Sequence, residues 1–116
     1  MSNPTPTPSA SSGTPHDRIR ALVTSHRVFL FMKGSPSFPM CGFSGRAVAL
    51  LKAAQTSFAT FDVFSDDEIR QGVKSFSQWP TIPQIYIDGE FIGGSDILAE
   101  MVDSGELAAL LNRPHP

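Results

Sequence analysis

The sequence predicts an α/β fold in which a four-stranded mixed sheet carries helices on both faces. Two strand-like runs enclose a helical segment, and such a crossover makes the two strands parallel. The dipeptide Asp88-Gly89 joins two further β-rich runs, which is the strongest short-range signal of an antiparallel hairpin. Segments before, between and after the strands repeat apolar residues at helical spacing. The element order is therefore helix, strand, helix, strand, helix, hairpin, helix.

Residues 1–15 are expected to form a disordered tail, and residues 16–112 the folded domain. Apart from the first methionine, the tail contains only Ser, Asn, Pro, Thr, Ala and Gly, so it has no bulky side chain to bury. It has neither the apolar middle of a signal peptide nor the arginines of a mitochondrial transit peptide. Its serine and threonine content leaves an organelle address as the alternative to a cytoplasmic protein.

The first helix is expected to begin at Thr14-Pro15, where a cap residue precedes a proline at the first helical position. The continuous apolar run over residues 27–32 is typical of a buried strand. Residues 33–40 contain one glycine and two prolines, which indicates a loop. From residue 41 to residue 54 the apolar positions are again spaced as in a helix.

Residues 58–64 are typical of a second strand. The segment that follows has the form of a capping box, with Ser65 at the cap and Glu68 three residues later. A third helix is therefore expected to begin there. Its apolar face is formed by Ile69, Val73 and Phe76.

The hairpin strands are expected over residues 84–87 and 90–92. Ser95 is the expected cap of a fourth helix, which Gly105 ends. A short last helix follows over residues 106–111. The residues of the fourth helix that are expected to face inward are Ile97, Leu98, Met101 and Val102.

Composition and charge exclude several classes of function. The net charge is −2, with 41% hydrophobic and 17% charged residues, as in a soluble globular protein. Without a basic excess, a nucleic-acid binder that works through phosphate contacts is not expected. The longest apolar runs, such as residues 47–51, are too short to cross a bilayer.

The chain contains a single cysteine, Cys41. A disulfide within the chain is therefore impossible, as is a metal site that needs several thiolates from one chain. These limits exclude a secreted scaffold held by disulfides and favour a reducing cytoplasm.

Cys41 lies where the loop meets the second helix, next to Pro39 and Gly42. Free N–H groups and the positive end of the helix dipole stabilise a thiolate there, so the pKa of the thiol should lie below its free value of about 8.5. Lys33 could add positive charge. The alternative is a buried structural thiol, but the flanking loop residues favour a reactive one.

Three segments resemble a known family. Residues 33–44 read KGSPSFPMCGFS, residues 79–84 read WPTIPQ and residues 93–97 read GGSDI. In this order and spacing they are similar to the active-site segment and two further signature segments of the monothiol glutaredoxins, the CGFS class. The similarity covers residues 16–112 and implies a thioredoxin-like fold.

The resemblance also implies the chemistry of Cys41. Dithiol relatives carry a second cysteine three residues after the first, where this chain has Ser44. A mixed disulfide on Cys41 must therefore be resolved by an outside thiol, and the resemblance implies that this thiol is glutathione. Many relatives have another cysteine at the position of Ser95, so a disulfide between that position and Cys41 is not possible here.

The resemblance implies that Lys33 and Arg70 bind a carboxylate of glutathione, at its glycine end. Lys74, one helical turn after Arg70, is a lesser candidate. From the residues alone, Arg70 is as easily explained as an ordinary surface charge.

The other end of glutathione is assigned in the same way. A cis bond between Ile82 and Pro83 would let the backbone of Ile82 bind the cysteinyl part of the ligand. Ser95 and Asp96 would bind the γ-glutamyl end, through backbone N–H groups and through the Asp96 carboxylate facing the ammonium. The alternative for Pro83 is an ordinary trans proline in a turn. The alternative for Ser95 and Asp96 is a helix cap followed by an acidic residue in the first turn.

Two functions follow from the resemblance. The first is an iron–sulfur carrier: a [2Fe–2S] cluster needs four thiolates, which two Cys41 residues of a homodimer and two glutathiones would supply. BolA-like proteins and apo iron–sulfur proteins are the implied partners. The second is a glutathione-dependent disulfide oxidoreductase that uses Cys41 alone. A thioredoxin-fold interaction module with an idle cysteine is the third possibility.

Overall fold

A computed structural model describes residues 13–114. None of its helices is long and apolar enough to cross a membrane. A 3₁₀ turn over Val63–Ser65 separates the second strand from the third helix. The helices are α1 (Pro15–Ser25), α2 (Gly42–Ala53), α3 (Asp67–Ser77), α4 (Ser95–Ser104) and α5 (Glu106–Leu111), and the strands are β1 (Val28–Met32), β2 (Ala59–Asp62), β3 (Gln84–Ile87) and β4 (Glu90–Gly93).

The four strands in residues 13–114 form one mixed sheet in the order β2-β1-β3-β4. β1 is parallel to β2 and antiparallel to β3, and β3 is antiparallel to β4. Asp88 and Gly89 form the hairpin turn. Their φ values of 53° and 81° are both positive, as a tight two-residue hairpin turn of this kind requires. The predicted fold class and strand directions are confirmed.

β1 lies in the centre of the molecule and is buried along its whole length. Its residues alternate between two apolar clusters, as the two-residue period of a strand requires. One cluster joins one face of the sheet to α2, α4 and α5, and the other joins the opposite face to α1 and α3. Helices on both faces are thus confirmed.

The first helix begins where the sequence predicts. Thr14 is its cap, and the Thr14 hydroxyl accepts a hydrogen bond of 3.1 Å from the backbone N–H of Asp17. The Asp17 carboxylate accepts a bond of 3.3 Å from the backbone N–H of Thr14, which completes a capping box around Pro15. Of the predicted tail, residues 1–12 lie outside the described residues.

The third helix begins one residue later than predicted, and β2 is shorter. The 3₁₀ turn takes up the end of the predicted strand, and within it the Ser65 hydroxyl donates to the carbonyl of Asp62. Ser65 is therefore not free to cap the helix. Asp66 is the cap instead, and its carboxylate accepts from the backbone N–H of Ile69 at 3.2 Å.

The predicted cap and inward face of the fourth helix also need correction. Gly94 is the cap, and Ser95 is the first helical residue and is buried. Leu98 and Met101 are buried as expected. Ile97 and Val102 are 36% and 37% exposed, because they lie at the margins of the packed face rather than on it.

Candidate functional site

Four strand ends, one from each strand, lie together at one end of the sheet. Met32, the last residue of β1, pairs with Asp62 at the end of β2. Phe31 pairs with Gln84 at the start of β3, and Gly93 at the end of β4 pairs with Ile85. The segments that continue from these ends therefore lie side by side.

These segments enclose a cavity of about 430 Å³, which we call the Cys41 cavity. It contains all six residues that the sequence analysis assigned to the site: Lys33, Cys41, Arg70, Ile82, Ser95 and Asp96. Its other lining residues are Phe43, Lys74, Trp79, Pro80, Thr81, Pro83, Gly94 and Ile97. The structure thus brings the predicted residues together, while the ligand of each one stays a prediction.

Cys41 occupies the cap position of α2, in an extended backbone conformation, and is partly exposed. Partial burial of the sulfur raises the pKa of the thiol. The backbone N–H groups of Ser44 and Phe43, the Ser44 hydroxyl and the charge of Lys33 together outweigh this effect, so the pKa of Cys41 lies below its usual value. The prediction of an acidic, accessible thiol therefore agrees with the geometry.

Ser44 is fully buried in the first turn of α2. Its hydroxyl oxygen accepts a hydrogen bond of 3.0 Å from the backbone N–H of Lys33. The hydroxyl hydrogen stays available to the sulfur of Cys41, whose thiolate it stabilises. Ser44 thus connects the end of β1 to the reactive residue.

The loop between β1 and α2 is held by backbone contacts. The N–H of Met40 donates to the carbonyl of Lys33 at 2.8 Å, and Gly34 forms an isolated bridge with Pro39. Gly34 has φ of 91°, and a Cβ there would lie 2.3 Å from the carbonyl oxygen of Phe38. This loop geometry therefore requires glycine.

Three apolar side chains around Cys41 face the solvent. Phe38 is 80% exposed, Met40 65% and Phe43 60%. Apolar side chains that cluster beside a reactive group are typical of a surface that contacts another molecule.

Lys33, Arg70 and Lys74 bring three cationic groups to the wall of the cavity. The guanidinium carbon of Arg70 lies 5.3 Å from the centre of the Phe64 ring, a cation–π contact that fixes its position. The Arg70 Nε is buried and has no hydrogen-bond partner among residues 13–114. A buried donor without a partner in the protein is available to a ligand or to a water molecule.

Asp62 supports this part of the cavity wall from below. Its Oδ1 atom accepts one bond of 3.0 Å from the N–H of Gly34 and another of 2.9 Å from the N–H of Phe64. One carboxylate therefore holds both the loop after Lys33 and the ring beneath Arg70. Asp62 and Phe64 were not among the predicted site residues, because the contact between Asp62 and Gly34 joins residues 28 positions apart.

The peptide bond between Ile82 and Pro83 is cis, as expected. Gln84, which is fully buried, donates through its Nε2 to the carbonyls of Trp79 and Thr81 at 3.1 and 3.2 Å. These bonds position the segment that lines the cavity before β3. Gln84 belongs to the quoted signature segment, but only the fold shows what its side chain binds.

Asp96 has a partner that the sequence analysis did not identify. Its Oδ1 accepts a hydrogen bond of 2.8 Å from Nη1 of Arg46, a residue of α2 that is 50 positions earlier. The side chains of Asp96 and Arg46 are 79% and 49% exposed. The one acidic residue in the cavity wall of the described chain is thus already in an ion pair at the rim.

Within residues 13–114, no group of three or more histidine, cysteine, aspartate or glutamate residues is arranged to hold a metal ion. Cys41 contributes one sulfur at the cavity wall. Any metal group bound here therefore needs further ligands from outside residues 13–114.

Comparisons with known proteins agree with this geometry. Residues 28–92 match the family model described as Glutaredoxin. The chain is 53% identical over 96 residues to monothiol glutaredoxin-S17 of Arabidopsis thaliana, covering 83% of this chain and 20% of that protein. It is 52% identical over 94 residues to the uncharacterized monothiol glutaredoxin ycf64-like of Synechocystis, covering 81% of this chain and 88% of that protein.

The fold agrees as well. The solution structure of reduced apo GrxS14 from poplar superposes with a TM-score of 0.72 at 48% identity, over 81% of this chain and 86% of that one. Several curated relatives are longer proteins, of which the chain spans between 20% and 45%.

Proposed function

Because this chain belongs to the monothiol glutaredoxins, we propose that it binds glutathione in the Cys41 cavity and carries a [2Fe–2S] cluster between two copies. The observation that supports this most directly is the convergence of one acidic thiol, three cations and one carboxylate on a single cavity. Glutathione has one thiol, two carboxylates and one ammonium group, so its charges match those of the wall.

The glycyl carboxylate is placed against Lys33 and Arg70. Arg70 has a buried Nε with no partner in the described chain, and Phe64 holds its guanidinium in place. Charge-assisted hydrogen bonds from such a group are stronger than neutral ones.

The remainder of glutathione extends along the other wall. The backbone of Ile82, next to the cis bond, is placed to bind the cysteinyl part in the manner of an added strand. The N–H groups of Ser95 and Asp96 begin α4 and suit the γ-glutamyl carboxylate. The Asp96 carboxylate suits the ammonium group, which it would bind in addition to Arg46.

The cluster is proposed because the chain belongs to this family, and counting thiolates gives the ligands of the cluster. A [2Fe–2S] cluster needs four, and one chain supplies only Cys41. Two chains and two bound glutathiones complete the set, so the cluster bridges a homodimer and is cargo for apo iron–sulfur proteins. The exposed Phe38, Met40 and Phe43 beside the thiol support a second protein at this face, either another copy or a BolA-like partner. We propose the cytoplasm as its location.

The test is an anaerobic reconstitution with iron, sulfide and glutathione, followed by a visible spectrum and a mass by gel filtration. We expect a coloured dimer. Omission of glutathione, or the Cys41→Ser variant, should give a colourless monomer, while Ser37→Ala in the same loop serves as the control. A colourless wild type would contradict the carrier function.

The lowered pKa of Cys41 favours a second candidate, the reduction of glutathione mixed disulfides. The Cys41 thiolate would attack the glutathione sulfur of a protein mixed disulfide and release the protein thiolate. The thiolate of a second glutathione would then attack the disulfide on Cys41 and release oxidised glutathione. Rapid turnover of a glutathionylated protein by a colourless wild type would make this the main function.

A further inference from the structure

The ion pair between Arg46 and Asp96 presents two opposite charges side by side at the rim of the Cys41 cavity. Nη1 of Arg46 lies 2.8 Å from Oδ1 of Asp96. A guanidinium has five N–H donors and a carboxylate has two oxygens. The two side chains share one hydrogen bond. Most of the N–H donors of Arg46 and the second oxygen of Asp96 are therefore available to a ligand.

A zwitterionic α-amino acid group carries the complementary pair of charges. The γ-glutamyl end of glutathione is such a group, with an ammonium and a carboxylate on one carbon. The ammonium would bind the free oxygen of Asp96, and the carboxylate would bind the free donors of Arg46. Each of the four charged groups would then have neighbours of opposite charge. Because both side chains are exposed, the ion pair between them contributes little free energy. It therefore does not prevent the two side chains from binding a ligand.

The distribution of charge in the cavity supports a role for Arg46. Of the three cationic lining residues, Lys33 follows β1 and Arg70 and Lys74 belong to α3, whereas the γ-glutamyl end is assigned to the start of α4. The second carboxylate of glutathione therefore has no cationic side chain among the lining residues at its own end. Arg46 is held there by Asp96, on the helix that begins beside Cys41.

We propose that Arg46 determines specificity for the γ-glutamyl group by binding its α-carboxylate, while Asp96 binds its ammonium. This inference rests on the proposed binding of glutathione and assigns a residue to one end of it. The ligands it selects are thiols and thioethers that carry a free zwitterionic γ-glutamyl group.

The test compares three ligands whose sulfur is methylated, so that no disulfide forms with Cys41. They are S-methylglutathione, its analogue without the γ-glutamyl amino group, and its analogue without the γ-glutamyl α-carboxylate. Affinities are measured by NMR titration of the reduced wild type, Arg46→Gln and Arg46→Lys. Lys52→Gln, an exposed charge at the other end of α2, is the control for net charge.

We expect Arg46→Gln to weaken S-methylglutathione and the analogue without the amino group by about two- to fivefold, as for an exposed charge pair. The analogue without the carboxylate should bind this variant and the wild type equally. Arg46→Lys should recover part of the loss, and Lys52→Gln should cause none.

Three results would overturn the inference. Unchanged affinities in Arg46→Gln would show that Arg46 contacts no ligand, and raised affinities would show that it competes with the ammonium for Asp96. An equal loss for all three ligands would show that it acts on cavity shape alone. A wild type that does not bind S-methylglutathione would refute the proposed function itself, together with this inference.

Discussion

The hydroxyl oxygen of Ser44 lies 3.0 Å from the backbone nitrogen of Lys33 and accepts its hydrogen bond. Ser44 is fully buried, whereas Cys41, three residues earlier, is partly exposed. The position that would hold a second cysteine in a dithiol relative thus has a structural contact of its own. The hydroxyl and the backbone N–H of Ser44 also lower the pKa of the Cys41 thiol.

Ser44→Ala should raise the pKa of Cys41, because the variant loses the hydroxyl that stabilises the thiolate. The pH dependence of alkylation by iodoacetamide measures this change. The rate at neutral pH should fall, while the rate at high pH, where the thiol is fully ionised, should stay the same. Ser37→Ala is the control in the same loop. A pH profile identical to that of the wild type would contradict the role of Ser44.

Arg70→Gln should weaken the binding of S-methylglutathione by about tenfold, since a charge-assisted hydrogen bond contributes about 1.5–3 kcal/mol. Phe64→Leu keeps the charge but removes the ring beneath it, so its effect should be smaller and in the same direction. Arg20→Gln is a matched control, because Arg20 lies 5.2 Å from the ring of Phe76 but does not line the cavity. Equal affinity in Arg70→Gln and Arg20→Gln would refute the assignment.

Gly34→Ala should destabilise the protein by about 1–3 kcal/mol, because the new Cβ meets the carbonyl of Phe38 and φ is positive. Thermal or urea unfolding measures the change in free energy. Gly42→Ala is the matched control, since a Cβ there has no atom within 4 Å and alanine favours a helix over glycine. If both variants unfold alike, the loop does not require glycine at position 34.

Tyr86 should make the free energy of unfolding fall at high pH. Burial raises its pKa to about 12, against about 10 in the unfolded chain. Its contribution is therefore fully present below pH 10 and is lost as pH rises from 10 towards 12, by at most about 1.4 kcal/mol per pH unit. It is the single tyrosine of the chain, so its ionisation is measured directly by ultraviolet absorbance.

The comparison for Tyr86 is Tyr86→Phe. This variant loses the hydrogen bond from the Tyr86 hydroxyl to Oε1 of Gln84 at 3.2 Å, so it should be less stable at neutral pH by about 1 kcal/mol. Its free energy of unfolding should then decrease less steeply above pH 10. Parallel curves for the two proteins would mean that the phenol has the same pKa in the folded and the unfolded chain.

The sequence predicted the sheet because its signals are local, and the resemblance of three short segments to the monothiol glutaredoxins supplied the candidate site residues, whose ligands stay predictions. Buried strands, the Asp88-Gly89 turn and the Thr14 cap depend on residues close together in the chain, and the structure has each of them. The residues of the cavity lie in three short segments and at Arg70 and Lys74 of α3, and the positions of the three segments follow once they are placed at the strand ends.

What the sequence did not predict depends on contacts between distant residues. Arg46 and Asp96 are 50 positions apart, and neither position carries a pattern that points to the other. The predicted cap of α3 was wrong for a different reason. Ser65 and Asp66 are both good caps, and only the 3₁₀ turn, which uses the Ser65 hydroxyl, decides between them.

Cys41 and Arg70 belong to helices on opposite faces of the sheet, and β1 lies between those two layers. The separation of the sulfur and the guanidinium therefore depends in part on the sheet between the two helices, and so does the length of ligand that reaches both. A larger or smaller side chain in β1 would change that span without altering any residue of the cavity wall. Selection by ligand length is in this sense a property of the interior of the protein.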